Sequence, residues 1–359
     1  MVSVWGDHLF EAGDSARVGT QAHGPSRSVR PASHSGLDIG LVLLGIGPAL
    51  ILIVLIVVLS FLSPVFLTPR NVSNILAQTA VIAVVAMGQH LVILTRGIDL
   101  SVGSNLALAS VVGALLFHSG ASAPFVILAM VASGALVGAV NGLFYVFGRL
   151  PHPFIITLAT LSICKGIALQ LADGRAIPGM PEAIRVLGRT VFWGLPGSVF
   201  VVIGVGLVLL VVTKTMVWGR WICAVGGRPE AALAMGIPVN WVLVSTYVIS
   251  GACAGIGAVI LAGRTDAGSP LFGNLLELDT IAAVIIGGAS FLGGRGHLGH
   301  AVIGAIMIGV IRNALNLLNV DIFFQLIVIG VIIVIAVECD VLRNYLEGRV
   351  RIAQAGRGQ

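Results

Sequence analysis

Charge is what this chain has least of. Only 10% of its 359 residues are Asp, Glu, Lys or Arg, where a soluble globular domain carries about a quarter. With 57% hydrophobic residues and a mean hydropathy of +1.05, that scarcity excludes a soluble fold. Cysteine is scarce too: Cys164, Cys223, Cys253 and Cys339 have no metal-type spacing and are expected to be reduced, structural thiols. The sequence also lacks a Gly-x-x-x-x-Gly-Lys-Ser/Thr loop, a His-Glu-x-x-His, a Gly-x-Ser-x-Gly and any pair of carboxylates on one face of an apolar run. Each absence removes a chemistry, so no catalytic residue, no metal and no nucleotide site of its own is expected. The single Gly-x-Gly-x-x-Gly match, Gly294 to Gly299, follows an apolar run rather than a strand and reads as a tight turn.

What the chain does have is apolar runs close to the roughly 20 residues that cross a bilayer as a helix, the form that satisfies its backbone within lipid. They predict an all-α integral membrane protein, a polytopic bundle of about ten transmembrane helices. The expected spans are Leu41 to Ser63, Ser73 to Leu94, Ser101 to His118, Pro124 to Gly148, Pro153 to Leu171, Ser198 to Thr213, Trp241 to Gly263, Thr280 to Leu292, Leu298 to Leu318 and Ile322 to Val337. They make residues 41–338 a transmembrane domain. Residues 1–40, polar and without the apolar core of a signal peptide, read as a disordered cytoplasmic tail, and residues 339–359 as a second cytoplasmic tail. With both termini inside, the predicted inner segments hold most of the Arg and Lys residues, as the positive-inside rule requires. The net charge of +5 is thereby distributed as topology signals and needs no nucleic-acid partner.

One interruption stands out. Between Lys214 and Asn240 the apolar runs give way to a polar, helix-compatible insert on the predicted inner side. Pro229 suits a first helical position, Glu230 to Met235 is good helix material, and Gly236 suits a helix stop. A bundle driven by a soluble partner must offer it such a surface, whereas an ordinary loop would need neither the helix nor the small residues.

Polar groups at predicted membrane depth supply the other candidates. In Thr95 to Ser104, Asp99 or Ser101 stands where a helix restarts, either to cap it or to line a cavity at a discontinuous helix. Gln89, His90, Asn105, Asn141, Lys165, Arg312, Asn313 and Asn316 also fall within spans. Neutral amides and hydroxyls suit a polyol. His90 reads as a packed, hydrogen-bonded histidine, and Arg312, Asn313 and Asn316 as a group that snorkels to the interface. Gly134, Gly138 and Gly142, with Gly251 and Gly255, have the spacing of close helix packing. Thr95 to Ser101 and Gly263 to Ser269 echo one another faintly, as inverted repeats would.

Three segments, Leu91 to Ser104, Ala224 to Ile237 and Leu278 to Gly296, carry a resemblance from about Leu41 to Val337. The chain resembles the permease subunits of bacterial ATP-binding-cassette importers, in the branch that carries ribose, xylose, galactose and related sugars. The resemblance implies a cytoplasmic coupling helix in which Gly226, Gly227, Glu230, Ala231, Ala232, Gly236 and Ile237 dock on a partner ATPase, which alone binds ATP and Mg. It implies a homodimer or heterodimer of permeases in the bacterial cell membrane and an extracytoplasmic sugar-binding protein. Asp99, Ser101, Asn105 and Asn141 are then expected in the translocation path or its gate, and Glu277 and Asp279 at an outer gate. The competing reading is an ion-coupled secondary transporter, which would need a carboxylate relay in which only Asp99 is a plausible member.

Overall fold

A computed structural model describes residues 35–355, with side chains described for 47–338, 340 and 341. The expected N-terminal tail falls mostly outside these residues. The chain divides after Val42 into a short first unit and a large second one that holds the bundle.

The second unit is almost wholly helical. Helix α1 (Ser35–Leu62), of which the residues from Leu43 on belong to this unit, is followed by α2 (Pro69–Leu94), α3 (Val102–His118), α4 (Ala123–Phe147) and α5 (Pro153–Leu171). A short strand β1 (Ile177–Pro178), the eight-residue α6 (Glu182–Arg189) and the hairpin of β2 (Val191–Phe192) and β3 (Leu195–Pro196) lead to α7 (Gly197–Thr215). The predicted polar insert folds as α8 (Val217–Gly227) and α9 (Pro229–Ala234). Then come α10 (Val239–Thr265), β4 (Ala267–Gly268), α11 (Leu276–Ile286), α12 (Leu298–Leu317) and α13 (Ile322–Ala355).

Among the described residues six helices, α2, α4, α5, α7, α10 and α12, are long and apolar enough to cross a membrane, and shorter apolar stretches lie in α1, α3 and α13. The expected eighth span is displaced: α11 starts at Leu276 and stops at Ile286, because Gly287 and Gly288, the latter with φ +94°, end the helix. Helix α13 runs on past Glu338.

Local chemistry explains several boundaries. Thr68 caps α2, its hydroxyl accepting from Asn71 N at 3.4 Å, with Pro69 in the first turn. Pro153 opens α5 behind His152, whose Nδ1 accepts from Phe154 N at 3.4 Å. Arg96 (φ +64°) and Asp266 (φ +57°) adopt left-handed backbone just beyond α2 and α10 and stop both helices.

The bundle has a centre and a rim. The apolar window of α2 is 83% buried and that of α7 only 17%, so α2 is core and α7 is periphery. Helix α10, the other central element, meets α4 through glycine. A Cβ on Gly138 would lie 2.1 Å from Tyr247 O, on Gly134 2.3 Å from Gly251 O, and on Gly251 2.2 Å from Gly134 O. The glycine spacing is therefore consumed within the chain, bringing two backbones into direct contact.

The faint echo in the sequence has a counterpart in the packing. Helix α10 lies against α4 as α2 lies against α12, and α3 packs on α4 and α5 as α11 packs on α12 and α13. Helix α2 ends beside α8, whereas α10 begins beyond α9 and ends beside α6, so the two related helices run in opposite directions. The helices that follow them, α3 and α11, start against one another: a Cβ on Gly103 would sit 2.2 Å from Gly273 O.

Candidate functional site

The turn between α2 and α3 holds a fully buried carboxylate. Asp99 Oδ1 accepts from Ser101 N at 3.0 Å and from Ser101 Oγ at 2.6 Å, and Oδ2 accepts from Ser250 Oγ on α10 at 3.1 Å. Ser101 Oγ in turn accepts from Asn141 Nδ2 of α4 at 2.9 Å, and Asn141 Oδ1 accepts from Thr160 Oγ1 of α5 at 2.7 Å. With its amide set to satisfy both contacts, Gln89 of α2 donates to Asp99 O and accepts from Asp99 N, each at 3.2 Å. One acid thus gathers α2, α3, α4, α5 and α10 through neutral donors. A buried carboxylate is tolerable only when so solvated by fixed dipoles.

Asp99, Ser101, Asn105 and Asn141 are each at most 1% exposed. Asp99, Ser101 and Asn141 form one cluster; Asp99 accepts from the N–H of Ser101 two residues on, as in an Asx turn ahead of α3, and neither Asp99 nor Ser101 makes a side-chain cap to the first N–H groups of that helix. Asn105, one turn along α3, donates to Gly134 O at 3.1 Å, and its Oδ1 is without a partner. Glu277 and Asp279 belong to a different place, the first turn of α11. The Glu277 carboxylate borders Gly103, and Asp279 Oδ1 accepts from Arg312 at 2.8 Å.

That ion pair corrects the snorkelling expectation. Arg312 turns inward because Asp279, only 6% exposed, needs a counter-charge. Asn313 exchanges bonds with Asn71 at 2.8 and 3.0 Å, and Asn316 accepts from Gln325 at 2.9 Å. Ser250, Thr160 and Asn71 carried no signal in the sequence. A lone hydroxyl in an apolar helix ordinarily bonds its own backbone, and only the fold reveals which ones turn elsewhere.

The α8–α9 region stands at the end of α2. Arg96 Nε donates to Gly226 O at 2.6 Å, and its guanidinium also donates to Gly227 O, so a cation closes the carbonyl end of α8. Gly226 lies so close that a Cβ would fall 1.7 Å from Leu94 O, the same oxygen that accepts from Gly294 N at 2.8 Å. The Gly293–Gly294 turn, both residues at positive φ, completes this three-way junction; the turn expected from Gly294 to Gly299 is cut short, because α12 already begins at Leu298.

Beyond the junction α9 presents Glu230, Ala231, Leu233, Ala234 and Met235 outward, Leu233 at 66% and Met235 at 82% exposure, while Ala232 is buried. Gly236, at φ +78°, ends the helix and is exposed, with Ile237 half-buried beside it. Of the cysteines, Cys164 and Cys253 are buried free thiols and Cys223 is an exposed one; Cys339 lies outside the described side chains.

Comparison with known proteins finds relatives over most of these residues. Residues 71–337 match the family described as branched-chain amino acid transport system / permease component. The chain is 40% identical over 297 residues to the ribose import permease protein RbsC of Bacillus subtilis, covering 82% of this chain and 92% of the relative. It is 40% identical over 300 residues to the D-allose transport system permease protein AlsC of Escherichia coli, covering 82% and 90%. To the L-arabinose ABC transporter permease protein AraH of Azospirillum brasilense it is 33% identical over 298 residues, covering 83% and 88%. No solved structure matches. The match across most of a bundle with buried polar turns and an exposed short helix means that the chain belongs to the branched-chain amino acid transport system / permease component family.

Proposed function

We propose that the chain is the membrane-spanning permease subunit of an ATP-driven importer for a small sugar, a monosaccharide of the ribose, allose or arabinose kind. The sugar class rests on the relatives, whose names specify ribose, allose and arabinose. The observation that carries the mechanism is α9, whose exposed Leu233 and Met235 have no cover within the described chain and whose neighbour α8 is tied through Arg96 to the turn that holds Asp99. In this reading α9 is the cytoplasmic coupling helix. It docks on a partner ATPase, which supplies ATP hydrolysis with its own Mg. About ten spans then carry both termini on the cytoplasmic side. Sugar arrives from an extracytoplasmic binding protein at a pore built with a second permease chain, and Glu277 and Asp279 stand toward the outer gate.

Movement of α9 reaches the bundle through α8 and Arg96, and alternating access follows when the helices joined at Asp99 change their packing as a group. Replacing Glu230 with Lys should leave insertion intact and cut ATP-driven sugar uptake by at least about tenfold, because a reversed charge opposes docking. The measurement is uptake into vesicles holding the permease, its ATPase and its binding protein. Wild-type uptake by this variant would sink the coupling assignment. Transport by the isolated chain on an ion gradient alone would transfer the protein to the secondary transporters.

A further inference from the structure

A cavity of about 410 Å³ opens between α2, α7, α8 and the turn that enters α12, apart from the Asp99 cluster. Leu94, Leu210 and Ile222 form apolar walls, and Lys214, His90, His297 and His300 are among its polar groups. Among the described residues no carboxylate lines it. His90 was expected to be packed and hydrogen-bonded; it is 1% exposed, yet its Nδ1 has no partner among the described residues, and its ring reaches the cavity. Gly296 makes room for that ring, since a Cβ there would lie 2.6 Å from His90 Cε1. At the start of α12 the rings of His297 and His300, both in the lining, stand 5.5 Å apart, edge to face.

The location selects the ligand. Helix α7 is the least buried of the long apolar helices, with Leu207, Val208 and Val211 at 57%, 62% and 51% exposure, so its outward face meets lipid. Lys214 ends that apolar run in the last helical turn, a position that suits a cation reaching from acyl chains to headgroups. Apolar walls leading to a lysine and imidazoles match an acyl and glycerol segment leading to a phosphodiester, as in basic clefts between membrane helices.

We propose that this cavity is a binding site for an anionic phospholipid of the leaflet at the α8–α9 end, its phosphate held by Lys214 and His297 and its first methylenes against Leu210 and Ile222. His90 closes the floor with a ring nitrogen able to meet a lipid oxygen or a water bound with it. The occupant bridges α7, α8 and the α12 turn, so its presence stiffens the same region that α9 adjoins.

The test compares lipids on the intact, detergent-purified protein by native mass spectrometry and thermal unfolding. The probes are phosphatidylglycerol, phosphatidylcholine and inorganic phosphate. Phosphatidylglycerol should be retained by the wild type and should raise its Tm more than the other two. Lys214→Glu and His297→Ala should each lower its retention by about fivefold or more, the worth of one cationic contact at an anionic membrane surface. Lys214 is exposed at a helix end, so its replacement leaves the fold intact. Equal retention of phosphatidylcholine, or unchanged phosphatidylglycerol retention in both variants, would overturn the proposal. A rise in Tm with inorganic phosphate equal to that with phosphatidylglycerol would overturn the lipid assignment and leave a free-anion site.

Discussion

The turns that follow α2 and α10 share a local design and differ in chemistry. Each stops its helix with a left-handed residue, Arg96 or Asp266, and each uses that residue to secure a short neighbouring helix. Arg96 meets the carbonyl end of α8. Asp266 accepts from Met180 N at 2.9 Å, ahead of the first turn of α6, and its backbone oxygen accepts from Gly179 N at 2.7 Å. A cation at one helix C-terminus and an acid at one N-terminus are the two favourable pairings with a helix dipole. The repeated backbone fixes where a charge stands, and the end of the helix it meets decides its sign. The attachments also differ in stiffness. Asp266 is backed by the pairing of β1 with β4, with Ile177 opposite Gly268, whereas Arg96 holds α8 by side chain to carbonyl.

Removing the acid behind the first turn should have the largest effect. Asp99→Ala strands the Ser101 N–H and the Ser101 and Ser250 hydroxyl donors in a dry core, at about 1–3 kcal/mol for each group left unpaired. Folded yield in detergent should collapse, and Asp99→Asn should retain more of it. Equal yields for wild type and Asp99→Ala would show that the five helices do not depend on this turn. Arg96→Ala comes next. It removes charge-assisted bonds worth about 1.5–3 kcal/mol. Hydrogen exchange should accelerate across residues 224–237 and leave 179–189 unchanged. Asp266→Ala should produce the mirror pattern at about 1 kcal/mol, with faster exchange confined to residues 179–189, because β1 and β4 still hold the loop. The smallest change is expected from Arg185→Ala. Its nitrogen is 3.9 Å from Asp266 and its side chain is 40% exposed, so thermal unfolding should move by no more than about 0.5 kcal/mol. If Arg96→Ala and Asp266→Ala spread their effects equally over both ends, the contrast between a compliant and a stiff attachment fails.

Much of this was legible in the sequence because it is written in local signals. Span positions follow from apolar runs, α9 from Pro229 and Gly236 around a run of helix formers, and the close approach of α4 and α10 from glycines one turn apart. Asp99 stood out because an acid between apolar runs is rare. Its partners did not, since Ser250 and Thr160 are ordinary residues until α10 and α5 are folded against the turn. The bond from Arg96 to Gly226 spans 130 residues, and no local pattern announces it. Arg312 was misread for the same reason: its carboxylate lies 33 residues away on α11. The start of α11 was missed because Leu275 adopts φ +59° without being glycine, so no turn residue marks the boundary.

The glycine seam between α4 and α10 has a kinematic consequence. At Gly134, Gly138 and Gly251 each backbone fills the space a side chain would need on the other, so a slide along the axis would bring neighbouring side chains into carbonyl oxygens. The pair therefore has no low-energy shear and travels as one strut through any working cycle. Displacement must be taken up where contacts are made by side chains over larger gaps, which in this molecule means the rim helices and the tethers at the two ends.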